Sequence, residues 1–218
     1  MTRNLNMDFR KSVVINTSKK EWVPSRLPGV ARKMLERESA ESGRATTIVR
    51  YEPGSVFSTH THEGGEEFFV LDGVFSDKTG DFGAGMYVRN PVGSTHSPFS
   101  TDGTQIFVKL GQMKPDDQSY VRIDTRNEQW LPGLIDGLSV MPLHQYEGEH
   151  VALVKWQEDT VFNRHSHPGG EEILVIEGVF EDEHGRYPKG CWIRNPPGSM
   201  HTPSSSEGCT ILVKTGHL

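Results

Sequence analysis

Residues 58–75 read STHTHEGGEEFFVLDGVF, and residues 163–180 read NRHSHPGGEEILVIEGVF. A second pair follows at the same spacing: RNPVGSTHSP at 89–98 returns as RNPPGSMHTP at 194–203. Both offsets are 105 (163 − 58 and 194 − 89). Working outward, the register holds through IFVKLG at 106–111 and ILVKTG at 211–216. Upstream the offset becomes 108, where VVINTSKKEW (13–22) matches VRIDTRNEQW (121–130). The difference is a three-residue insertion between about 36 and 45, within ERESAESGRA. Aligning 46–111 on 151–216 without gaps gives 29 identities in 66 positions, so one module occurs twice in tandem. The junction falls near KPDDQ (114–118), which sets an N-terminal domain at 1–113 and a C-terminal one at 114–218.

Short strands are the expected elements. ATTIVRYE (45–52) and EHVALVKWQ (149–157) are rich in β-branched and aromatic residues, and turn signals follow each. EEFFVLDGVF and EEILVIEGVF each carry an interior glycine, the mark of a bend or bulge. MYVRNP and CWIRNP stop at a proline that opens a PxG turn. Turn residues every eight to twelve positions predict antiparallel sandwiches or barrels. The one stretch with a helical look, VARKMLERE (30–38), aligns with LSVMPLHQY (138–146), whose central proline argues for strand or irregular structure in both.

Charged residues are 24% of the chain and the net charge is −6, so there is no basic footprint for nucleic acid or an anionic membrane. Neither an 18-residue apolar run nor the apolar core of a signal peptide is present, and a cytoplasmic location is expected. Two cysteines without CxxC spacing, Cys191 and Cys209, read as ordinary half-buried residues rather than as a disulfide framework or a redox pair.

Six of the ten histidines lie in the repeated motifs: His60, His62 and His96, then His165, His167 and His201. Residues two apart on a strand share a face, so each HxH aims two imidazoles into one volume. Glu66 and Glu171 follow by four and keep the same parity on a regular strand. A lone HxH is more often a surface or hydrogen-bonded pair than a metal site. Here more than half of the aligned positions differ between copies, yet all four of these positions agree. Three imidazoles and a carboxylate suit a divalent transition metal, one per domain (zinc, iron, manganese or nickel).

These motifs resemble those of the cupins. Gly54, His60, His62, Glu66 and Gly73 match the first cupin motif, as do His165, His167, Glu171 and Gly178, with Asp159 in place of the first glycine. Gly85, Pro91, Gly93 and His96 match the second motif, as do Gly190, Pro196, Gly198 and His201; Ser100 and Ser205 replace its usual asparagine. The resemblance implies an all-β bicupin: two tandem double-stranded β-helix (jelly-roll) barrels with His60, His62, Glu66 and His96, and His165, His167, Glu171 and His201, as inward metal ligands. HxHxGGEE, RNPxGSxHxP and the upstream WxPxxxPGV are similar to the cupin domain of ChrR-type anti-sigma factors, a group that also resembles acetylacetone-cleaving dioxygenases. The resemblance thus implies either a ligand- or oxidant-sensing regulator, with a sigma factor or other regulatory protein as partner, or a metal-dependent dioxygenase or isomerase acting on a small molecule in the barrel. Without CxxC, and with the repeat beginning by about residue 12, the N-terminal zinc domain of such anti-sigma factors is expected to be lacking. The resemblance to bicupins is compatible with a homodimer, which no pattern in the sequence itself encodes.

Tetrahedral zinc would be closed by four ligands, as suits sensing or structure; an octahedral metal would keep two positions open for substrate. Among the other repeated residues, Arg89 and Arg194 point either into the pocket, toward an anion, or to the outer face, toward acids. Glu67 and Glu172 are expected behind the ligands or at the surface, Lys109 and Lys214 in solvent, and Trp22 and Trp130 over a barrel end. His144, His150, His184 and His217 lack repeat partners and are expected at the surface.

Overall fold

Strand Glu66–Asp77 and its counterpart Glu171–Asp182 organise the two halves of the chain. The computed structural model describes residues 4–39 and 42–218; residues 40 and 41, within the expected insertion, lie outside the described residues. In the first half the sheet runs Val121–Asp124, Met86–Asn90, Glu66–Asp77, Thr104–Leu110, Ala45–Tyr51, Val30–Arg37, Val23–Pro24. The second half repeats it as Val13–Asn16, Cys191–Asn195, Glu171–Asp182, Cys209–Thr215, Glu149–Trp156, Leu138–Tyr146, Leu131–Pro132. Every pairing is antiparallel, and a separate two-stranded ribbon carries each HxH motif. The protein is therefore nearly all-β, as two tandem barrels. The stretch 30–38 with its proline-bearing counterpart is strand in both copies. Among the described residues, no helix is long and apolar enough to cross a membrane.

The glycines expected to mark a bend do so. Gln105 pairs with Asp72 but Ile106 with Val70, so Leu71 bulges out; Ile176 does the same between Val175 and Glu177. Two residues on, Gly73 (φ 70°) lies where an added Cβ would meet the Gly103 carbonyl oxygen at 2.1 Å, so only glycine fits. The bulge lets one strand serve two layers: its first part pairs with Met86–Asn90, its last with Gly80–Gly83. Between the layers pack Phe68, Phe75 and Phe82, the first two with ring centroids 4.7 Å apart and each 1% exposed. Burying each such side chain contributes about 1.5–3 kcal/mol. In the second half Ile173, Phe180 and Tyr187 take this place.

The chain divides into two compact units, residues 1–7 with 21–127 and residues 8–20 with 128–218. This differs from a cut at 113/114, because the first strand of each repeat is built into the sheet of the other. Val121–Asp124 pairs with Met86–Asn90, and Val13–Asn16 with Cys191–Asn195. The segments that arrive this way bring partners for two buried arginines. Asp117 reaches Arg89 at 2.7 Å, and the Phe9 ring lies 4.5 Å from the Arg194 guanidinium.

Several expected surface residues are interior. Lys109 and Lys214 are 3% and 4% exposed, because their strands lie mid-sheet; Lys109 donates to Thr46 Oγ1 at 3.1 Å, and Lys214 pairs with Glu149 at 2.9 Å. Arg89, paired also with Glu67, lies on the sheet face away from the histidines, so it meets acids but in a buried layer. Glu172 is likewise buried and accepts from Trp192 Nε1 at 2.8 Å. His217 is not at the surface: its buried imidazole lies 3.3 Å from Glu172. Trp22 is half-buried, with Lys33 and Arg50 over its ring. Cys191 and Cys209 are both buried and free.

Candidate metal centres

HxH and the third histidine meet because their two short strands pair directly. His60 faces His96 across the ribbon in unit 1, and His165 faces His201 in unit 2. The imidazole centroids of His60, His62 and His96 lie 4.8–4.9 Å apart; those of the second trio span 4.6–5.3 Å. Phe75 and Phe180 pack beside His96 and His201, so the core holds the third ligand position.

The carboxylate arrives by a different route from the one parity suggests. HTHEGGEE is not one strand: it breaks at a turn where Gly65 N–H donates to the His62 carbonyl at 3.1 Å. Both glycines of the turn are required. Gly65 has φ 75°, and a Cβ on Gly64 would lie 2.6 Å from Gly111 Cα; Gly170 and Gly169 repeat both features. The turn sets Glu66 at the start of the long strand, with its Oε2 3.5 Å from His62 Nε2 and 3.6 Å from His96 Nε2. Glu171 lies 3.2 Å from His167 and 3.6 Å from His201.

Behind these groups stand residues that the motif reading did not single out. Asn90 Nδ2 donates to Glu66 at 2.8 Å and Asn195 Nδ2 to Glu171 at 3.2 Å. His96 Nδ1 donates to Asp77 Oδ2 at 3.0 Å, and His60 Nδ1 to the Ser58 carbonyl at 3.0 Å. His165 Nδ1 donates to the Asn163 carbonyl at 2.9 Å, but His201 Nδ1 is 3.6 Å from Asp182. All four acid and amide positions are identical between the copies at the offset of 105, which was the available signal.

These contacts fit a cation. A proton held on Nδ1 leaves Nε2 as the lone-pair donor, the form a metal takes. Burial, helped by the neighbouring histidine, holds His62 and His167 down to about 4, so both are neutral at pH 7. His96 is also lowered by burial, whereas at His201 burial is outweighed by Asp182 and Glu171 and the value is raised. Burial raises Glu66 and Glu171, against the pull of His96 and His201. The Nε2 atoms of His62 and His96 are 2.8 Å apart in a part-buried site, an arrangement that a shared proton or a cation relieves. Each three-histidine group could thus hold a metal ion, with the glutamate carboxylate alongside.

Each centre lines a cavity. In unit 1 it measures about 390 Å³, with His60, His62 and Glu66 in its wall; in unit 2 it is about 190 Å³ and touches His165, His167, Glu171 and His201.

The comparisons with known proteins agree with this architecture. Among solved structures, a candidate dioxygenase from Nostoc punctiforme superposes with a TM-score of 0.80 at 15% identity, covering 96% of this chain and 84% of that one. A cupin 2 conserved barrel domain protein from Leptotrichia buccalis gives 0.65 at 10% identity, with 93% and 95% covered. A deletion mutant of Bacillus subtilis oxalate decarboxylase gives 0.63 at 14% identity, with 99% and 78% covered. At such identities these likenesses establish the fold alone. A search of curated proteins gives no match. A family model described as the ChrR cupin-like domain matches residues 10–114 and again residues 118–218, nearly the whole chain. The chain therefore belongs to the ChrR cupin-like family and carries two of its domains in tandem.

Proposed function

We propose that the chain is a metal-dependent enzyme acting on a small molecule, with one divalent transition metal per unit and the unit-1 centre as the working site. The observation that carries this reading is the cavity of about 390 Å³ walled by His60, His62 and Glu66. A site of that size, at the lower end of the usual range of about 300–1,000 Å³, suits a metabolite rather than a macromolecule. His60, His62, His96 and Glu66 hold the ion. The Ser58 carbonyl and Asp77 keep the Nδ1 protons in place, and Val49, Ile106 and Val108 keep the wall dry. A divalent metal there supplies a Lewis acid and a template for a bound substrate, and iron or manganese adds redox chemistry. The candidate dioxygenase among the structural relatives supports this class through fold only.

A second reading, a metal-dependent sensor whose binding to a regulatory protein changes with ligand or oxidant, is favoured by the ChrR family description. Elemental analysis by plasma mass spectrometry on untagged protein, purified without chelators, separates the two. About two equivalents of iron, manganese or nickel per chain, with turnover or oxygen uptake on a panel of small organic substrates, is the result expected of the enzyme. Zinc at that stoichiometry with no turnover would overturn the enzyme reading and direct work to partner capture with and without metal.

A further inference from the structure

The two cavities differ where the two repeats differ. In unit 1, strands Val30–Arg37 and Ala45–Tyr51 bring Arg32, Arg37 and Thr47 into the same lining as His60, His62 and Glu66. A bulge after Met34 places both arginines on this face: Arg32 pairs with Val49 and Arg37 with Ala45. Arg37 is 6% exposed, and its Nε donates to the Ser39 carbonyl at 2.7 Å. Thr47 is 3% exposed, and its hydroxyl has no hydrogen-bond partner among the described residues.

In unit 2 the aligned residues are Val140, Gln145 and Ala152. Val140 lines the smaller cavity; Gln145 and Ala152 do not. Among the described residues Glu66 is the one acid in the unit-1 lining, so their formal charge is 2 − 1 = +1, while the described unit-2 lining, with Glu171 and no arginine or lysine, carries −1. A divalent ion adds two to each. Guanidinium groups at a closed wall favour planar oxyanions, which they bind through paired N–H donors. A buried hydroxyl without a partner is a place for a ligand's polar atom. Tyr51 belongs to the same wall: burial and Glu66 push its pKa up and keep the phenol protonated, against a smaller opposing pull from Arg32.

We infer that the unit-1 cavity binds a small organic acid, its carboxylate held by Arg32 and Arg37 with Thr47 supplying a further hydrogen bond, and that unit 2 does not. This rests on the unit-1 cavity being the substrate site proposed above; it adds the substrate class and the residues that select it. Isothermal titration of the full chain, as purified and after chelation, with malonate, 2-oxoglutarate and benzoate against neutral acetylacetone and benzamide tests it.

The expected result is one equivalent of an acid per chain, bound at least about ten-fold more tightly than the neutral probes. Arg32→Val, the residue the other repeat already carries, should weaken it by roughly ten- to a hundred-fold. Metal content and unfolding midpoint should not change. Thr47→Ala should cost less, and the neutral probes should not respond to either change. Two equivalents per chain, equal affinity for acids and neutral probes, an Arg32→Val chain that binds as before, or no binding of any acid at millimolar concentration would each overturn the inference. A failure of the metal reading looks different: arginine-dependent acid binding would persist in a chain that takes up no metal. A failure of the acid inference alone would leave two equivalents of metal and no preference for acids.

Discussion

Unit 1 and unit 2 present the same three imidazoles and carboxylate to two different rooms. In unit 1 the wall includes Arg32, Arg37 and Tyr51; in unit 2 it is Val140, Val154, Trp156 and Val213. Trp156 stands where Tyr51 stands, and its indole N–H has no partner among the described residues, so at this position the second room offers a neutral donor. The difference teaches which parts of the module depend on one another. An imidazole of the trio is useful only with its two fellows and the proton acceptors behind them, so these positions are held together as a set. A wall residue answers only to the volume beside it, and so the walls have diverged.

The largest test of that comparison separates the centres. His96→Ala should remove about one of two metal equivalents per chain and weaken the acid-binding response, whereas His201→Ala should remove the other equivalent and leave that response unchanged. Elemental analysis with titration reads both. Equal effects of the two variants on ligand binding would break the assignment of unit 1 as the working site.

Next in size is the layer behind the histidines. Arg89→Met leaves Glu67 and Asp117 buried without their shared cation, which should cost about 3–5 kcal/mol of stability, read in urea unfolding. A loss below about 1 kcal/mol would mean that the two acids are protonated or hydrated. A finer contrast follows from distance. Asp77→Asn, at 3.0 Å from His96, should weaken metal binding in unit 1 by roughly 10–100-fold, and Asp182→Asn, at 3.6 Å from His201, should weaken unit 2 by less. Competition with a chromogenic chelator measures both. The smallest effect concerns the thiols, which occur only in unit 2. Burial pushes Cys209 up to about 11, and Cys191 is raised as well, so the folded chain should react only slowly with a thiol reagent at pH 8, and fully once unfolded.

Much of this was legible in the residues. The repeat, the strands and the pairing of HxH with a distant histidine follow from patterns that act locally: alternation, turn residues and the PxG corner. Glu66 reaches the centre as the spacing suggests, yet through a glycine turn rather than along a regular strand. What lay beyond reading were charges whose partners are remote in sequence. Lys214 looks like a solvated strand end until Glu149 is seen beside it, and the side on which Arg89 finds its partner is open until Asp117 arrives on the segment that leads into Val121–Asp124. Arg32 and Arg37 sit five apart, an odd spacing that looks two-faced on a regular strand; the bulge between them turns both inward.

The traded first strands also govern when the protein can finish folding during synthesis. Val13 pairs with Arg194, which emerges 194 − 13 = 181 residues later. At about 5–20 residues per second, that is a wait of roughly ten to forty seconds. Over that interval the strand Val13–Asn16 has no sheet to join, and an open strand edge is a template for pairing with another chain. Nascent copies on neighbouring ribosomes therefore meet with exchangeable strands before either has closed its own second barrel.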